Sequence, residues 1–91
     1  MNQLNEQIAE NEITINILMN GDIILTMQLS VMTKLHDIKN RIKDECGIIS
    51  DMILKFNNIV LQNHNTLNYY DLPDNVEITL SLCHLSGSVV V

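Results

Sequence analysis

The sequence predicts an α+β domain, a mixed sheet of four to five strands packed on one main α-helix. Three observations carry that expectation. Only one stretch, Thr33 to Gly47, repeats apolar residues at helical spacing. Before it, two alternating runs flank an Asn-Gly pair, the pattern of a hairpin. After it come further short apolar runs separated by turn residues. So little helix covers only one face of a sheet, which leaves two layers with the other sheet face open.

Taken in order, residues 1–12 (MNQLNEQIAENE) carry few sizeable apolar side chains and are expected to form a flexible arm. Ile13, Ile15 and Ile17 alternate with Thr14 and Asn16, a half-buried strand. Asn20-Gly21-Asp22 is the turn, since Asn and Gly take positive φ readily. Leu25, Met27 and Leu29 alternate with Thr26, Gln28 and Ser30 in the returning strand. In the helix, Leu35, Ile38 and Ile42 share one face, Thr33 stands as N-cap and Gly47 as the left-handed exit. Met52 to Phe56 is a short strand that turns at Asn57-Asn58 into Ile59-Val60-Leu61. A single helical turn is expected over Thr66–Leu72, ended by Pro73 because the residue before proline avoids the α region. Val76 to Leu82 alternates again and closes the sheet.

Ninety-one residues suffice for one core, and no apolar run approaches a membrane span. A net charge of −6 opposes nucleic-acid binding, because phosphates would be repelled. The N-terminus lacks the basic and apolar regions of a secretory signal, and two cysteines are too few for a disulfide framework, so a cytoplasmic protein is expected. Charge is uneven. Four of the five basic residues, Lys34, Lys39, Arg41 and Lys43, lie in the helical segment, leaving Lys55 alone against eight acids elsewhere. That helix face either orients a partner or is simply solvated.

Strand, strand, helix, strand, short strand, strand is the order of a β-grasp. From about Ile13 to Gly87 the chain resembles ubiquitin and its relatives. DIKNRIKDECGI is similar to the helix and glycine exit of that family, and LKFNNIVLQNHNTLNYYDL to the strand, turn, loop and tyrosine-bearing turn that follow. The resemblance places core positions at Ile15, Ile17, Leu25, Met27, Leu29, Leu35, Ile38, Ile42, Leu54, Leu61, Leu67, Leu72, Ile78 and Leu80. It also implies that Tyr70 holds a nearby loop through its hydroxyl. The domain is then residues 13–85, followed by a tail at 86–91.

The resemblance fails at two places that matter for function. Ubiquitin's receptors read an apolar patch on the open sheet face, and the matching positions here, about Asn20, Lys55, Thr79 and Ser81, are polar. The lysines that carry common polyubiquitin chains match Ile59 and Asp74. The tail, Leu82-Cys83-His84-Leu85-Ser86-Gly87, keeps one terminal glycine, has Ser86 for the other and lacks the arginines. Some family members end in one glycine exposed by a protease, so Ser88–Val91 reads as a removable extension and Gly87 with Ser88 as the processing and conjugation point. The plainer reading is an ordinary glycine near a chain end.

A modifier would require activating and conjugating enzymes, a protease and protein targets. The alternatives are an unconjugated interaction or self-assembly module and a sulfur carrier using the same carboxylate. Lys55, Ile59, Thr79, Ser81 and Leu85 are the expected partner-binding residues. Surplus apolar residues outside the expected core (Leu18, Met19, Ile23, Ile24, Ile48, Ile49, Ile53, Ile59, Val60 and Val76) are numerous enough to form a contact patch. His36, His64, His84, Cys46 and Cys83 have no ligand-like spacing, so neither a metal nor any other cofactor is expected. Cys83-His84 would alternate faces in a strand, no paired carboxylates or phosphate loop are present, and no enzyme is expected.

Overall fold

The computed structural model describes residues 11–83, with β1 (Glu12–Met19) and β2 (Asp22–Ser30) as its first hairpin. Asn20 and Gly21 have φ of 56° and 86°, the two left-handed residues that a tight turn of this hand requires. Asp22 therefore belongs to β2, pairing with Met19, and not to the turn. Register shifts between Ile17 and Leu18, which face Leu25 and Ile23, so Ile24 is the extra residue of a bulge. The helix α1 (Leu35–Cys46) follows, then β3 (Met52–Phe56), β4 (Ile59–Val60), a 3-10 turn at Asn68–Tyr70 and β5 (Val76–Leu82).

The five strands lie in the order β2-β1-β5-β3-β4. β5 runs parallel to β1 and antiparallel to β3, which makes the sheet mixed, and the other neighbours pair antiparallel. This is the predicted two-layer α+β arrangement, with α1 laid across one face. Ile15, Ile17, Leu35, Ile38, Ile42, Leu54, Leu61, Leu67 and Ile78 are essentially sealed from solvent. Leu25 and Leu29 only half-bury, because they lie on β2 at the sheet's edge. Ile13, Met52 and Val76 are buried in addition to the expected core positions, and for Val76, placed by sequence among the surplus residues outside the core, this is a correction that the alternation through Ile78 requires. Leu61 lies just past β4, where its amide donates to Leu54 O at 2.8 Å and its side chain enters the core.

The start of α1 also differs from expectation. Its N-cap is Lys34, extended at φ −83° and ψ 150°, and no side chain caps it. The loop between β4 and the 3-10 turn does so with its backbone. Leu35 N–H donates to Asn65 O and His36 N–H to Asn63 O, each at 3.0 Å, while Lys34 bridges to Thr66. Two of the amides that every helix start leaves open are thereby satisfied, so Thr33 has no cap to provide. The loop is held in turn by Tyr70, whose hydroxyl accepts from Gln62 N–H at 2.6 Å and Asn65 Nδ2 at 3.0 Å, the role expected of this tyrosine. At the other end Gly47 takes the left-handed conformation (φ 67°, ψ 27°) and closes the helix as predicted.

Candidate functional site

With α1 covering one face, the other face of the sheet is the broad surface left open among the described residues. Strand register fixes what stands on it. Leu18 pairs with Ile23 on β2 and with Thr79 on β5; Thr79 pairs with Lys55 on β3, and Lys55 with Val60 on β4. Directly paired residues share a face, so Ile23, Leu18, Thr79, Lys55 and Val60 form one row across all five strands. Their chain neighbours Ile17, Ile78 and Leu54 point into the core, which puts the row on the open side. Ile23 is 56% exposed and Val60 42%. Beside the row, Ser81 pairs with half-buried Ile53.

Much of the remaining face is polar, and part of it is bonded internally, although the exposed Glu77 and Gln28 side chains stand beside it. Thr26 Oγ1 donates to Asn16 Oδ1 at 2.7 Å, and Asn16 Nδ2 donates to Asn75 Oδ1 at 3.1 Å. Asp74 Oδ1 accepts from Thr14 N–H at 2.8 Å and Asn75 N–H at 2.9 Å, tying the start of β5 to β1. Groups that bond to one another in this way present few open donors or acceptors to a partner. The mixed row differs: Lys55 has no ion-pair partner among the described residues. It is exposed, between Thr79 and Val60 on the neighbouring strands. A partner covering this row has to leave the Lys55 amine at the rim or meet it with an acceptor, because burying it alone costs several kcal/mol.

The structure thus brings together Lys55, Thr79 and Ser81 of the expected partner-binding residues. Ile59 does not join them. It pairs with Phe56, which packs against the core, so it lies on the opposite face, 53% exposed at the rim. Leu85, Gly87 and Ser88 lie outside the described residues, as do His84 and most of the expected N-terminal arm. Glu12, placed in that arm by sequence, is the first residue of β1 and pairs with Ser30. Leu18, Ile23 and Val60 complete the row but entered the sequence reading only as surplus apolar residues. Alternation assigned Leu18 outward; only the bulge at Ile24 turns Ile23 to meet it.

Among the described residues no three His, Cys, Asp or Glu side chains gather where they could hold a metal ion. Cys46 packs against the core with Sγ 4.0 Å from Ile24 O. No helix among the described residues is long and apolar enough to cross a membrane.

No family model matches the chain, and no curated protein matches it in sequence. Solved structures do match in shape. A chain from the structure described as "Molecular Mimicry of SUMO promotes DNA repair" is similar at a TM-score of 0.71 and 19% identity, covering 79% of this chain and 92% of that one. The ubiquitin-like domain of the Arabidopsis thaliana protein At2g32350 is similar at 0.70 and 19%, covering 79% and 78%. A chain of the pParkin-pUb-UbcH7 complex is similar at 0.73 and 16%, covering 80% of this chain but 23% of that one. Strand order, grasped helix and these likenesses agree: the chain has the ubiquitin-like β-grasp fold.

Proposed function

We propose that this chain is a ubiquitin-like protein modifier, processed after Gly87 and joined through its new C-terminal carboxylate to protein targets by dedicated enzymes. The supporting observation is the placement of that glycine. β5 ends at Leu82, and Gly87 follows five residues later in sequence. A glycine there suits passage through a narrow catalytic channel, since it has no Cβ. The domain itself supplies binding surface rather than catalysis, and the proposed setting is the cytoplasm. Expressing the full chain with an N-terminal tag in its source cell tests the reading. Heavier tagged species are expected, and Gly87→Val should abolish them; adducts that persist in the variant would refute attachment through Gly87.

A second reading, an interaction module that is never conjugated, is favoured by the row across the open sheet face. Leu18, Ile23 and Val60 are apolar, accessible and not required by the core. Under this reading the full chain is recovered without adducts, and Ile23→Ser with Val60→Ser removes partner binding while leaving the fold intact. A sulfur carrier would use the same glycine as a thiocarboxylate and would show one added sulfur in the intact mass.

A further inference from the structure

A groove of about 430 Å³ lies away from the open sheet face, between α1 and the adjoining ends of β3 and β5. One wall is a single helix face: His36, Lys39, Asn40 and Lys43, at the three- and four-residue spacing that aligns side chains. Asn63 of the capping loop, whose carbonyl accepts from His36 N–H, also lines it, with Asp51, Met52 and Cys83. The protein carries −6 overall, yet two of its five cations converge here. Of the lining residues, only Asp51 is acidic. Its contact with Lys43 is long, at 3.9 Å, and its side chain is 85% exposed, so the pairing is loose. Lys39 has no ion-pair partner among the described residues. Of the helix acids, Glu45 is engaged by Arg41 at 3.3 Å, and neither Asp37 nor Asp44 lines the groove.

We infer that this groove docks a short acidic peptide segment of a partner protein. Two ammonium groups one helical turn apart fit two carboxylates on a linear segment. The amides of Asn40, whose Nδ2 also lies 3.4 Å from His36 Nε2, and of Asn63 supply donors for its backbone carbonyls, and half-buried Cys83 receives an apolar residue, Met52 itself being buried. Acids more than about 8 Å from the groove are largely screened at physiological salt, and the nearer Asp37 and Asp44, chain neighbours of His36 and Lys43, do not line it. The site is independent of the modifier reading: it uses other residues and another side of the fold.

The probe is a blocked peptide of alternating glutamate and leucine, titrated into the full chain and followed by amide chemical shifts. Its glutamine counterpart serves as control. The expected result is shifts concentrated at His36, Lys39, Asn40, Lys43 and Asn63, absent with the glutamine peptide. Lys39→Gln with Lys43→Gln should weaken binding about three- to tenfold, on the scale of two partly exposed ion pairs. Asp51→Asn should strengthen it by freeing Lys43, and Lys34→Gln should leave it unchanged; dispersed amide spectra establish that each variant is folded. Shifts centred on Lys55, equal binding of both peptides, or no effect of Asp51→Asn would overturn the assignment. So would equal displacement by inorganic phosphate, which needs no groove, or the same shifts on concentrating the protein alone, which would give the groove to a second copy.

Discussion

Replacing Tyr70 by Phe tests how the start of α1 is held. The substitution keeps the ring and its edge-to-face contact with Tyr69, whose centroid is 5.0 Å away, and removes only the hydroxyl. That oxygen accepts two hydrogen bonds, from Gln62 N–H and Asn65 Nδ2. At a net contribution of about 0.5–1.5 kcal/mol each, their loss costs about 1–3 kcal/mol, and water reaching Gln62 N–H favours the lower half. For a domain this size that lowers Tm by roughly 5–15 °C. The damage should spread, since Asn65 O and Asn63 O accept from the first two helix amides. Urea unfolding followed by circular dichroism gives the magnitude, and amide exchange should quicken at Leu35 and His36. Thr33→Ala is the companion measurement. A true N-cap would cost about 0.5–2 kcal/mol to remove; here its backbone bonds to Ser30 O and from Leu67 N–H survive the change, and stability should move by less than about 0.5 kcal/mol. A neutral Tyr70→Phe, or a Thr33→Ala as costly as a lost cap, would refute this account of the helix start.

Three further outcomes are expected from urea unfolding. Ile42→Ala, at a fully buried position facing the sheet, should cost about 2–5 kcal/mol through lost burial and the cavity left behind. Gly47→Ala should cost roughly 1 kcal/mol from its left-handed backbone alone, because a Cβ there would meet nothing within 4 Å. Asp74→Ala should cost about 1–2 kcal/mol by leaving the amides of Thr14 and Asn75 without their acceptor, whereas Asp74→Asn, which retains an oxygen, should cost less.

Local chemistry made most of the fold legible in the sequence. Met52–Phe56 and Val76–Leu82 have the predicted bounds because Asn57-Asn58, Asp74-Asn75 and the end of alternation mark where extended backbone stops. Asn57, Asn58 and Asn75 all adopt the positive φ that asparagine tolerates. The helix cap was not legible. Its acceptors, Asn63 and Asn65, lie nearly thirty residues downstream, and periodicity carries no information about a loop that folds back. The bulge at Ile24 was hidden for a related reason: Ile23, Ile24 and Leu25 are uniformly apolar, so no break in pattern marks the extra residue. Of the candidate site, Lys55, Thr79 and Ser81 follow from resemblance and alternation together. The face that Ile59 takes was not legible, because it depends on the two left-handed residues of the turn before it.

As a modifier, the chain is proposed to work with Gly87 as its C-terminus. Intact-mass analysis of the protein recovered from its source cell tests this most directly. The account predicts a chain that has lost Ser88–Val91, accompanied by heavier species in which that trimmed chain is joined to other proteins. Recovery of the untrimmed chain in every fraction, with no adducts, would contradict it.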